Sequence, residues 1–205
     1  MKKKIEYIHA YILINGIISV EKMLSILNDE HSLDITKKEL KEIINEMDDI
    51  SIEKNYIKIN GIDEEIIDNI MLKKTIYKNY KIIENIEEVI EEDDTNFSKL
   101  SEISKKNHLN DEIRDTILTI MNLGAFSKEF LNAILINFNI KMNNDKKKNL
   151  LKDLNSVYEN VRIWTLNGHK KSEIAVISKK QKLVEMINAF VEVEKNINIV
   201  VESKI

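Results

Sequence analysis

The sequence predicts a mainly α protein. It opens with a winged-helix-like unit carrying a small β-hairpin over residues 1–63, continues through connecting helices over 64–94, and ends in a multi-helix domain over 95–205. Three observations predict this. Apolar residues recur at helical spacing in most segments. Capping residues precede those segments. One short stretch alternates in the manner of a hairpin, and it falls directly after three helices.

The first helix runs from about Lys4 to Asn15, with Ile5, Ile8, Tyr11 and Ile12 on one face, and Asn15-Gly16 ends it. Ile17-Ile18 reads as a short strand. Ser19 caps a second helix with Val20, Met23, Leu24 and Leu27 inward. A loop over His31 to Asp34 follows. Thr36 with Glu39 forms the S/T-x-x-E capping box of a third helix that buries Leu40, Ile43, Ile44 and Met47. Ile50-Ser51-Ile52 and Tyr56-Ile57-Lys58-Ile59 are the hairpin strands, joined by Glu53-Lys54-Asn55, and Gly61 closes the unit.

Beyond Gly61 the pattern is helical. Ile66, Ile67, Ile70, Met71 and Tyr77 make one stripe and Ile83, Ile86, Val89 and Ile90 another, as one bent helix or two with a break near Asn79-Tyr80. The acidic run Glu91 to Asp94 is expected to be a linker. Four further helices follow, marked by Phe97, Leu100 and Ile103; by Ile113, Ile117, Ile120 and Met121 after Asn110; by Phe130, Leu131, Ile134, Leu135 and Phe138 after Ser127; and by Leu150, Leu151, Leu154, Val157 and Tyr158 after Asn144. A last helix is expected over about Lys179 to Lys195, with Leu183, Met186, Ile187 and Phe190 inward. The tail Ile197 to Val201 reads as a strand or an apolar arm.

With no Pro and only 4 Gly, the glycines and Asn-rich joints must punctuate the chain. The heavy use of Ile, Asn and Lys matches an AT-rich bacterial genome. The absence of Cys excludes disulfides, thiolate metal sites and thiol catalysis. Lys2 to Lys4 have a signal-like charge, but Glu6, His9 and Asn15 interrupt the apolar stretch behind them. No apolar run approaches the roughly 20 residues of a membrane span, so the expectation is a cytoplasmic protein without a membrane partner.

The four histidines, His9, His31, His108 and His169, never reach the spacing of a metal motif, and no nucleophile elbow or phosphate loop occurs. No catalytic, cofactor-binding or metal residue is nominated, and the expected role is non-catalytic. Charge locates the alternative. The net charge of −4 conceals a segment, residues 128–182, with 12 basic against 5 acidic residues, net +7. Lys146, Lys147, Lys148, Arg162, Lys170 and Lys171 lie there, around the single Trp164 and His169, and a basic surface bearing an aromatic suits nucleic acid. The third helix is the other candidate, since in a winged helix it can enter the major groove. Its Lys37, Lys38 and Lys41 lie in its N-terminal half, but the stretch Lys37 to Asp49 holds 3 basic against 5 acidic residues, net −2, which opposes phosphate neutralisation. The favoured reading is therefore a regulatory or adaptor protein working through a protein partner or as a homo-oligomer. A nucleic-acid-binding transcriptional regulator is the alternative.

The stretch Tyr158 to Ile174 reads YENVRIWTLNGHKKSEI. Asn160, Arg162, Trp164, Asn167, Gly168, His169 and Glu173 fit a pattern in bacterial proteins that carry a SEC-C metal-binding tail, and GIISVEKMLSILN with the capped helix and hairpin after it resembles their N-terminal part. Lys170-Lys171 stand where that pattern has Thr-Pro. The Cys/His-rich tail is missing, so its zinc role is not carried over. What the resemblance implies is a helical body with no known reaction.

Overall fold

A computed structural model describes residues 2–62, 67, 68, 70, 71, 74 and 80–174. The chain divides into two compact units, Met1–Lys170 and Lys171–Ile205. Of the second only the helical residues 171–174 are described. The expected helix over Lys179 to Lys195 and the tail after it lie outside the described residues.

The first unit begins with helix α1 (Lys2–Asn15), strand β1 (Ile17–Ser19) and helix α2 (Val20–Ser25), which loosens into a π-helical turn (Ile26–Glu30). Helix α3 (Lys37–Asn45) and strands β2 (Ile50–Glu53) and β3 (Tyr56–Ile59) complete the winged-helix order. The sheet is antiparallel in the order β1-β3-β2, with Ile18 opposite Ile57 and Ile52 opposite the same residue on the other side. The hairpin turn is tighter than the sequence suggested. Glu53 belongs to β2, and Lys54 and Asn55 alone turn the chain, both at positive φ (55° and 121°). Two-residue turns of that kind match the twist of the flanking strands.

The second half contains helices α4 (Ile86–Lys106), α5 (Asp111–Asn122), α6 (Lys128–Asn137) and α7 (Asn144–Tyr158), then a 3-10 turn (Trp164–Leu166). Side-chain oxygens of Ser19, Thr36, Asn85, Asn110, Ser127 and Asn143 cap α2 to α7 by accepting backbone N–H groups, each worth about 1 kcal/mol. The cap of α7 is Asn143, not Asn144, because it is the Asn143 amide oxygen that accepts from Lys146 N at 2.9 Å.

Two further expectations are corrected. The acidic run Glu91 to Asp94 is not a linker but lies inside α4. The inward series Val89, Asn96, Leu100 and Ser104 passes straight through it, at spacings of seven and four residues, leaving the acids on the flanks. Phe130, expected inside, is 46% exposed, and Phe97 and Ile90 also lie largely open. The chain over residues 80–85 is non-helical, so the break falls near Tyr80 as the sequence allowed.

Two cores result. One packs α1, α2, α3 and the sheet around Tyr11, Met23, Leu27, Leu40, Ile44 and Ile57. The other packs α4 to α7 around Leu100, Ile117, Met121, Leu135, Leu154 and Tyr158. Helix α4 serves both, contributing Val89 to the first and Leu100 to the second.

A candidate nucleic-acid interface, in three parts

The N-terminal ends of α2 and α3 and the wing tip share one surface. Lys37 Nζ lies 3.2 Å from Glu21 Oε1 and 3.4 Å from Asn55 Oδ1, and Asn55 Nδ2 donates to Glu21 Oε2 at 2.5 Å. The Asn55 carbonyl also accepts from Val20 N at 2.9 Å. The wing tip is thereby tied to the start of α2. The backbone N–H at Glu21's own place in the first helical turn, and then Lys37, hold its carboxyl below the usual carboxylate range. A phosphate approaching this face would meet a fixed anion. Lys38 pairs with Glu42 one turn on at 3.6 Å, and Lys58 of the wing pairs with Glu53. Lys41 is exposed and has no acidic partner among the described residues.

Trp164 takes the commoner role of a lone Trp, a core anchor that fills the gap between helices, and not that of a platform for stacked bases. Trp164 is 6% exposed, and its indole N–H donates to Leu13 O of α1 at 3.0 Å. Gly16, at φ +66°, lies flat against the ring; a Cβ there would stand 2.5 Å from Trp164 Cδ2. Arg162 donates Nε and Nη2 to Glu92 Oε2 at 3.0 and 2.7 Å, while Lys170 takes the other carboxylate oxygen at 2.6 Å. The His169 side chain is buried, and its backbone pairs with Ile163 in a one-residue bridge. Lys81 N donates to Asn167 O at 3.0 Å. Arg162, Trp164 and Lys170 therefore hold this segment against α4 and α1, and their polar groups serve that joint. Lys171 is exposed and belongs to the second compact unit.

The run Lys146-Lys147-Lys148 is split by helical geometry. Lys146 lines a cleft of about 490 Å³, whereas Lys147 is half-buried and Lys148 is exposed elsewhere on α7. The cleft joins the C-terminal end of α4, the loop between α6 and α7, and the first turns of α7. It adds Lys152, which the basic segment of the sequence also contains, and collects two lysines that the sequence reading did not single out, Lys106 and Lys141, together with His108. Its one carboxylate, Asp153, is 3.1 Å from Lys106. These residues come from separate segments and share no motif, so only the fold assembles them. The nearest sequence signals are His108 and Asn139, which reverse the chain at φ 56° and 55°.

One further cation is internal. Lys74 is 6% exposed and donates to Asn15 O at 2.9 Å and Ile17 O at 2.5 Å, on either side of Gly16. Burial pushes its pKa down to about 7. Among the described residues no three His, Asp or Glu side chains converge as metal ligands, and no helix is long and apolar enough to cross a membrane. No family model, curated protein or solved structure matches the chain. The class is thus defined by fold alone: a mainly α protein with an N-terminal winged helix whose third helix and wing are tied up with acids.

Proposed function

We propose that this protein is a non-catalytic regulatory or adaptor protein that acts through protein–protein contacts. The carrying observation is the outer face of α6. Phe130, Ala133 and Ile136 are all exposed there at three-residue spacing, with Ile136 72% exposed and Phe130 46%. A single exposed apolar residue needs no explanation, but an apolar line along one helix is the surface that partner helices and grooves recognise. The acidic character of α3 and the tethered wing support the same reading, because they take a winged helix away from phosphate contact. The resemblance of this body to SEC-C-tailed proteins adds no reaction to it.

The test replaces Phe130 and Ile136 together by Glu. Both side chains lie outside the core, so the thermal melt should be unchanged. Self-association in light scattering, or photo-crosslinking from residue 133 in cells, should be lost. If the wild-type protein is monomeric and forms no crosslink from residue 133, the contact reading fails. A hydrolase or transferase activity abolished by one substitution would overturn the non-catalytic role.

A further inference from the structure

Apart from the α6 face, and independent of it, the molecule concentrates positive charge in one concave place. The cleft between α4, the α6–α7 loop and α7 has a volume of about 490 Å³, within the roughly 300–1,000 Å³ of small-ligand sites. Lys106 is engaged by Asp153. Lys141, Lys146 and Lys152 have no acidic partner among the described residues. On the winged-helix face, by contrast, Lys37, Lys38 and Lys58 each meet a carboxylate. Gathering like charges around a concave surface costs self-repulsion that an anion would relieve.

The cleft has a second character. Leu150, buried in the helical core, forms its floor with the half-buried Ile140 and Met142. A bare inorganic anion has no use for an apolar floor. A molecule with a flat organic part and a charged end does. No Phe, Tyr or Trp lines the cleft, and an extended single strand would lack the aromatic platforms on which successive bases stack. We propose that this cleft binds a nucleoside di- or triphosphate, with Lys141, Lys146 and Lys152 holding the phosphates and Ile140, Met142 and Leu150 lying under the nucleoside.

The experiment is isothermal titration of the full-length protein at low salt with ATP, GTP, adenosine, inorganic tripolyphosphate and a short single-stranded oligonucleotide. A nucleoside triphosphate should bind, with affinity falling as salt rises. Lys141→Glu with Lys146→Glu should weaken it by about tenfold or more, as expected for losing two charge-assisted contacts. Lys148→Glu, outside the cleft, should leave it nearly unchanged. Thermal melts check that the exposed charge reversals have not altered the fold. Tighter binding of ATP or GTP than of tripolyphosphate supports the nucleoside contact with the floor. Equal binding overturns the nucleoside contact, and the proposal with it, by assigning the affinity to the phosphates alone. Absence of binding by both ATP and GTP overturns the proposal, as does nucleotide binding that survives the double substitution. An oligonucleotide that binds far more tightly than either nucleotide overturns it in favour of a strand.

Discussion

The winged-helix face and the α7 cleft carry similar numbers of lysines, and they differ in what those lysines meet. On the winged-helix face Lys37 finds Glu21, Lys38 finds Glu42 and Lys58 finds Glu53. In the cleft one carboxylate faces four lysines. Basic residues in the sequence are therefore a poor guide to a basic surface. What matters is whether the fold brings acids to the same place. Helix α3 shows this most clearly, since two of its three lysines on the side expected to read bases, Lys37 and Lys38, are offset by Glu21 of α2 and Glu42 of α3 itself.

The two regions are joined at Trp164, and the sharpest way to break the comparison is to separate them. Trp164→Ala should cost about 3–5 kcal/mol in urea unfolding, the usual loss for a buried aromatic. It also orphans the Leu13 carbonyl. A single transition that becomes two would show that the halves are stable apart. A loss below about 1 kcal/mol would mean that the joint is not fixed by the indole.

A pH-dependent effect is expected from the lysine that belongs to neither surface. The pKa of Lys74 is about 7 in the folded protein against an ordinary 10.5. The unfolded chain thus holds more protons between those values, and stability should rise with pH from about 7 towards 10.5 and be flat in this respect below. Lys74→Met should remove that rise. Denaturant midpoints read from Trp164 fluorescence at several pH values, wild type against variant, measure it. Identical pH dependence in the two proteins would show that burial does not govern this amine.

The smallest effect lies on the winged-helix face. Glu21→Gln with Glu42→Gln removes two acids beside Lys37 and Lys38 and should raise retention on DNA at low salt by roughly threefold. No change would mean that shape, and not the acids, keeps this face from phosphate. Equal retention by the wild-type and doubly substituted proteins at a level already high would reverse the contrast between face and cleft.

Much of the first sixty residues was legible because each local signal pointed the same way. Ser19 and Thr36 cap where capping residues should, and Ile50, Ile52, Ile57 and Ile59 alternate as strands. The acidic stretch Glu91 to Asp94 misled because composition was weighed above periodicity. Val89, Asn96 and Leu100 keep the helical spacing, but a polar Asn in the middle hides the stripe. Phe130 misled for the opposite reason, as its apolar side chain suggests a core that its helix face does not reach. The role of Trp164 was half visible. A joint was a natural use for it, but its partners Leu13 and Gly16 lie at the other end of the unit. The cleft was visible only in part, since Lys146 and Lys152 fall in the basic segment of the sequence, whereas Lys106 and Lys141 join them only after α4 and the α6–α7 loop have packed against α7.

The ring seated on Gly16 has a consequence for the order in which the protein is made. Synthesis proceeds from the N-terminus, and domains fold as their residues emerge. The end of α1 cannot receive its covering side chain until a residue 151 positions beyond Leu13 has been added. Until then the winged helix must hold its last helical turn and its first strand without that indole. The nascent chain thus completes its first element with one of its last described residues, a closure that long sequence separation makes slow.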